Sequence, residues 1–84
     1  MRLFKISQNR NINKDTFDAA IVAADNENEA RITHPDLCLY KFNEWDGGVS
    51  HVWCESKFVK VEYIGEAKEG TKKGVVVASF YSSE

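Results

Sequence analysis

The chain has few of the residues and segments that mark secreted or membrane-spanning proteins. Its 84 residues include two cysteines, Cys38 and Cys54, and one proline. Small secreted domains usually carry several disulfides, so two cysteines favour free thiols in a reducing compartment. The longest apolar run, residues 19–24, is far shorter than the roughly 20 residues that span a bilayer. Because the N-terminus also lacks the apolar region of a signal peptide, we expect a soluble, cytoplasmic protein.

Neither sign of charge is in large excess. Eleven Lys and Arg residues against thirteen Asp and Glu residues give a formal net charge of -2. Nucleic-acid-binding domains usually carry a basic excess, so nucleic acid is not the expected partner. The content of 43% apolar and 29% charged residues is typical of a folded chain. At this length we predict a single domain over residues 1–84.

Hydrophobic patterning in the N-terminal half predicts two strands and a short helix. Phe4 and Ile6 share one face of a strand over residues 2–7, which is followed by a polar, Asn-rich loop. Residues 17–24 form the second strand, and their continuous apolar run suggests cover on both faces. A helix over residues 27–33 is predicted from Asn26 at its N-cap, and Pro35 ends it.

The C-terminal half predicts further β-structure. Residues 38–54 are interpreted as a hairpin around the turn signal of residues 46–48. Residues 58–64 and 75–81 form two more strands, which we expect to pair antiparallel with each other. The resulting fold class is α+β, an antiparallel sheet of four to six strands with one short helix packed on one face. One short helix can hardly cover a whole sheet, so the uncovered face, or the aromatic hairpin, must be buried in another way or used as a contact surface.

Several short segments occur in an order that is found in a known group of proteins. They are Lys5-Ile6-Ser7-Gln8, residues 15–24, Glu29-Ala30-Arg31, His34-Pro35, Trp53, residues 64–67 and residues 74–80. This order resembles a group of small, mostly uncharacterised proteins of phages, prophages and other bacterial genomes, with a strand–capped helix–hairpin pattern. The resemblance spans nearly the whole chain. It implies a phage or bacterial cytoplasmic protein and supplies no catalytic residues.

Two histidines and two cysteines have the spacing of a small zinc module. His34 and Cys38 are followed, after twelve residues, by His51 and Cys54. Two thiolates and two imidazoles suit a tetrahedral zinc ion. On a regular strand, however, His51 and Cys54 point to opposite faces, which favours packed thiols and structural histidines instead. A zinc-stabilised module is therefore the alternative interpretation, and the preferred interpretation needs no cofactor.

The remaining candidates for chemistry have simpler structural explanations. A Cys–His nucleophile pair lacks an orienting third group in the sequence. Asp15 and Asp18 fit turn capping and solvated charge better than acid–base catalysis. The lysine-rich connection of residues 65–74 does not have the order of a phosphate-binding loop. Solvated charge also accounts for Glu44, Asp46 and Glu55. We therefore predict no catalytic residues and no enzymatic activity.

Aromatic residues in the predicted hairpin are the candidate partner-binding residues. Tyr40, Trp45 and Trp53 are of the types that anchor protein interfaces, although in so small a chain they could equally complete the core. The preferred function is a non-enzymatic binding module that acts by protein–protein contact. The resemblance adds an expected phage accessory or anti-defence role, as an inhibitor of a host protein. Edge strands of such a sheet also make a homodimer by sheet extension an expected assembly.

Overall fold

The computed structural model describes residues 1–11, 16–36, 39–42 and 44–81, with Phe80 and Tyr81 described by their backbone only. Its strands and helices occur in the chain order β1 (Arg2–Ser7), β2 (Thr16–Ala24), α1 (Glu27–Arg31), a 3₁₀ turn (Ser56–Phe58), β3 (Lys60–Glu66) and β4 (Gly74–Tyr81). Among the residues described, no helix has the length and apolarity needed to cross a membrane. The four strands and the short helix of the described chain confirm the α+β class.

All four strands form one antiparallel sheet in the order β3-β1-β2-β4. The predicted pairing of β3 with β4 is wrong, because these strands lie at opposite edges of the sheet. The β1–β2 pair occupies the centre, and each of its strands offers one free side to a later strand. Residues 67–73 cross the three interstrand spacings, about 14 Å, that separate the two edges. Seven residues can span more than about 20 Å, so the crossing needs no further secondary structure.

The alternation predicted for β1 is confirmed. Phe4 and Ile6 are 4% and 0% exposed and lie opposite Val22 and Ala20 of β2, so the four side chains share one face. Ala30 of α1 packs against this same face. The small side chains of β2 allow the helix to approach closely. Each large side chain buried here contributes roughly 1.5–3 kcal/mol to the free energy of unfolding.

The helix α1 begins at a side-chain cap, as predicted, but ends earlier than residue 33. Asn26 Oδ1 accepts a hydrogen bond from the Glu29 amide at 2.8 Å, and Glu29 Oε1 accepts one from the Asp25 amide at 2.8 Å. The Glu29 carboxylate therefore satisfies the amide of Asp25, the residue before the N-cap Asn26. At the other end, the Thr33 hydroxyl donates to the Glu29 carbonyl at 2.8 Å, which satisfies an end group of the helix.

The hairpin predicted over residues 38–54 is wrong, since the described residues of this segment contain no strand. The turn at Asp46 is present: its Oδ1 accepts from the Gly48 amide at 2.9 Å. The Gly47 carbonyl, however, accepts from the Ser56 amide at 2.8 Å rather than from a neighbouring strand. Residues 44–58, which we call the capping segment, instead pack against the same core face as α1. Regular alternation is lost here, because the neighbouring residues Trp53 and Cys54 are both buried.

Candidate functional site

His34 is a buried structural residue rather than a free ligand or base. Its side chain is 3% exposed and contacts the rings of Tyr40 and Trp45, with centroid distances of 4.9 and 5.1 Å. Nδ1 accepts a hydrogen bond from the Asp36 amide at 3.0 Å, so Nε2 carries the proton and donates to Ser50 Oγ at 2.9 Å. Burial lowers the pKa of His34 to about 4. At neutral pH the ring is uncharged and both nitrogens are in use.

Cys54 is a buried thiol in the core. It is 5% exposed, and burial raises its pKa to about 11. The thiolate is the reactive form of cysteine, and at neutral pH almost none of it is present here.

The structure does not bring the described members of the predicted zinc set together. His51 is exposed, and its carbonyl accepts a hydrogen bond from the Asn11 side chain at 3.3 Å. Cys38 lies outside the described residues. Within the described ranges, no three His, Cys, Asp or Glu side chains converge as metal ligands would. A zinc ion would also require His34 to give up one of its two hydrogen bonds, so the zinc module stays a prediction without structural support.

The aromatic residues predicted to bind a partner contribute to the core. Trp45 and Trp53 are 4% and 0% exposed, and Tyr40 is half-buried against His34. Neither indole Nε1 has a hydrogen-bond partner among the residues described. These side chains are therefore part of the packed interior in this fold and not an exposed surface. Residue type alone could not distinguish packing in the core from an exposed binding surface, because tryptophan is common in both.

The predicted carboxylates lie in separate local structures. Asp18 is the extra residue of a β-bulge in β2, where the pairing with β4 skips one position. Glu44 Oε1 accepts from the Lys41 amide at 2.9 Å, and Asp46 caps its own turn. Glu55 borders a cleft beside the capping segment. Asp15 lies outside the described residues, so the predicted pair with Asp18 is not described.

The lysine-rich connection is attached to the start of α1 by one ion-pair cluster. Lys73 Nζ lies 2.7 Å from Asp25 Oδ2 and 3.2 Å from Glu29 Oε2. The hydrogen bond from Lys73 is the largest cause that lowers the pKa of Asp25, and the Asp25 carboxylate in turn raises the pKa of Lys73. The connection thus has a structural function, which fits the absence of phosphate-loop order in its sequence.

The cleft beside the capping segment has a volume of about 300 Å³ and is lined by structural groups. Asn11 Nδ2 donates to the carbonyls of Ser50 and Trp53 at 3.2 and 2.9 Å, and thereby attaches the capping segment to the end of β1. The Arg10 guanidinium lies 3.9 Å from the ring centroid of Phe58. These contacts give Arg10 and Asn11, two of the polar residues that line the cleft, a role in the packing of the fold.

The sheet face opposite the core is exposed around Lys5 and Val77, and we call this part of it the open face. Lys5 projects to this face because its neighbours Phe4 and Ile6 project to the core. Ile21 lies opposite Lys5, and Val77 lies opposite Ile21, so the three side chains form a row across β1, β2 and β4. A shallow apolar groove of about 230 Å³ follows this row. The groove is lined by Lys5, Ala19, Ala20, Ile21, Val77, Ala78 and Ser79.

Comparison with known proteins identifies no match. No family model matches the sequence, and no curated protein and no solved structure matches the chain. The resemblance to the phage group therefore stays a prediction, and the candidate site is assigned from geometry alone. Of the features described, the open face joins residues of three strands along one apolar groove, and it is the candidate functional site. The sequence indicated this face only indirectly, through the alternation of β1.

Proposed function

We propose that the protein is a small non-catalytic binding module that acts by protein–protein contact through the open face. The observation that carries the proposal is the apolar groove along Lys5, Ile21 and Val77, which the described chain leaves exposed. Val77 is 58% exposed although it stands in the middle of a strand. Contiguous exposed apolar surface on a soluble fold commonly marks a contact site for another molecule.

The absence of activated groups elsewhere in the described structure supports a binding function over catalysis. His34 is neutral and doubly hydrogen-bonded, and Cys54 is a protonated thiol in the core. An active site usually has at least one nucleophile, acid or base adjusted to its reaction. The open face instead offers an apolar groove, with Lys5 and the opposite Glu62 of β3 beside it, which suits an apolar partner surface.

The proposed setting is the cytoplasm of a bacterium or of a phage-infected cell, with the protein as a phage accessory or anti-defence factor. The resemblance to phage and prophage proteins supports this setting, together with the small size of the chain. In such a setting, a non-catalytic module would inhibit a host protein by covering its surface.

A capture experiment with matched variants tests the proposal. The variant Ile21→Glu places a carboxylate in the groove opposite Lys5, so the sheet gains a favourable cross-strand pair while the apolar surface is interrupted. Ile32→Glu is the control, because Ile32 is 39% exposed at the end of α1, away from the open face. We expect a bacterial protein that is captured by the wild type and by Ile32→Glu but not by Ile21→Glu.

Circular dichroism verifies that both variants are folded before capture is compared. If the captured protein binds all three chains equally, the open face is not the contact surface. If no bacterial or phage protein is retained above the level of an unrelated control domain, the proposed function is wrong.

A further inference from the structure

We infer that β4 is a dimerisation edge, which pairs antiparallel with β4 of a second copy to join two sheets into one. The strand stands at the end of the order β3-β1-β2-β4, so one side of its backbone faces away from β2. No described residue outside β2 makes a backbone hydrogen bond to residues 75–81. An edge of this kind presents a row of backbone donors and acceptors to another strand.

The two edges of the sheet differ in their protection. On β3, the exposed charged residues Lys60, Glu62 and Glu66 oppose pairing with another chain, and the strand is bent by a bulge near its C-terminal end. On β4, no charged residue occurs from Gly74 to Tyr81. Val76 and Val77 are 54% and 58% exposed there. The unprotected edge is therefore β4.

The geometry of β4 suits regular pairing over its C-terminal part. The strand has an extra residue at Val76, where the register with β2 shifts, and it is regular from Val77 onward. The other irregularity of this pair lies in β2, at Asp18, and does not interrupt β4. The regular stretch of residues 77–81 is centred on Ser79, and a two-fold axis near Ser79 would pair this stretch with its copy.

The charge pattern favours a second copy as the occupant of this edge. A two-fold axis places the same surface on both sides of an interface, so any charge near the axis would face itself. Because β4 carries no charge, self-pairing brings only uncharged residues together, without repulsion. In the dimer both free edges are β3, whose charges oppose further addition of strands. The assembly therefore closes at two copies instead of growing into a filament.

Dimerisation would change the position of the groove on the open face. In one chain the groove lies at the β2–β4 end of the sheet. In an eight-stranded dimer the two grooves would lie on either side of the two-fold axis, in the middle of a single apolar surface. This consequence rests on the proposed function, whereas the pairing of β4 itself does not.

Sedimentation equilibrium of the wild type and two charge variants tests the inference. We expect the wild type to move with rising concentration from the 9.5 kDa of one chain toward twice that mass. Ser79→Lys places two lysines at the axis and should raise the dimer dissociation constant by about tenfold or more. Ile64→Lys adds the same charge to the β3 edge, where Ile64 is 47% exposed, and should leave the dimer unchanged.

Hydrogen exchange provides the second measurement and identifies the edge directly. Raising the concentration of the wild type should protect backbone amides of β4 and leave those of β3 unchanged. A wild type that stays monomeric up to millimolar concentration overturns the inference, and so does equal weakening by Ser79→Lys and Ile64→Lys. If Ser79→Lys fails to fold, Ser79→Asp, which also places two like charges at the axis, replaces it in both measurements.

The variant Ile21→Glu separates this inference from the proposed function. It should lose the captured protein and keep the dimer, because Ile21 lies in β2 and does not border the β4 edge. A dimer without a captured protein removes only the proposed function. A monomeric chain that still captures its partner through the open face removes only the dimer.

Discussion

Nε2 of His34 lies 2.9 Å from Ser50 Oγ, and this hydrogen bond connects the segment after α1 to the capping segment over the core. The same serine oxygen accepts from the Val52 amide at 3.3 Å. On the other side of the ring, Nδ1 accepts from the Asp36 amide. Protonation of His34 would place a hydrogen on Nδ1 against this amide, so the arrangement requires the neutral ring.

The free energy of unfolding should decrease in mild acid because of His34. The ordinary pKa of 6.5 applies to the unfolded chain, and burial lowers the folded value to about 4. Between these values the unfolded state binds more protons, so stability is complete above pH 6.5 and decreases as the pH falls toward 4. The decrease attributable to His34 is about 3 kcal/mol. Urea unfolding at a series of pH values measures it.

The variant His34→Gln is the control for this pH dependence. Glutamine keeps an amide donor for Ser50 and does not titrate, so the decrease across this range should largely disappear. The pKa of Asp25 is lowered by its hydrogen bond from Lys73, and its contribution to stability is lost only as the pH falls below the ordinary value of 3.8. An unchanged slope between pH 6.5 and 4 in His34→Gln would show that another group titrates there.

Cys54 should resist thiol reagents in the folded protein. A pKa raised from 9.0 to about 11 reduces the thiolate fraction about a hundredfold, and burial also limits access. The test uses the Cys38→Ser variant, so that only Cys54 is counted. The rate of reaction with a chromogenic disulfide should rise by at least this factor when denaturant unfolds the chain. A fast reaction in native buffer would mean that Cys54 is accessible.

Trp53 should contribute to stability as a core residue. Its side chain is 0% exposed, and truncation to alanine in a packed interior typically reduces the free energy of unfolding by about 3–5 kcal/mol. Val49→Ala is the control in the same segment, because Val49 is 81% exposed and should have almost no effect. Thermal and urea unfolding compare the two variants. If Trp53→Ala had normal stability but no longer captured the partner, the result would support the predicted aromatic binding surface.

Lys73 should stabilise the crossing connection by an electrostatic effect that salt weakens. Lys73→Met removes the cation shared by Asp25 and Glu29, so the melting temperature should decrease. Lys72→Met is the matched control, since Lys72 makes no ion pair in the described part of the chain. The difference between the variants should shrink in high salt, because added ions screen exposed charges. A difference that persists in high salt would point to packing instead of charge.

The sequence was sufficient to predict the four strands and the start of the helix, but it predicted a hairpin over residues 38–54 wrongly and did not give the strand order. The alternation of Phe4 and Ile6 indicated β1 and its core face, and Asn26 with Glu29 indicated the start of α1, because these signals lie within a few residues of each other. The pairing of β3 and β4 was wrong because strands adjacent in sequence often pair, while here the β1–β2 pair offers two free sides. No local pattern distinguishes these two topologies.

The candidate site could be predicted only in part, for the same reason. The capping segment is held by hydrogen bonds from Asn11, which lies about forty residues earlier in the chain, and no short motif indicates them. The burial of Trp53 depends on those contacts, so its type alone suggested an interface equally well. The position of Lys5 on the open face could be predicted from the sequence, because strand alternation places it opposite the core.

The long separation between paired strands has a consequence for the kinetics of folding. The β1–β2 pair is local, whereas Ile21 pairs with Val77 and Ile6 with Val61, so both outer strands must close long loops before they contribute stability. Chains dominated by such non-local pairings fold slowly. Until β4 pairs with β2, the apolar residues of β2 have no strand beside them on that side. Refolding should therefore be slow, and aggregation during this interval should increase with protein concentration.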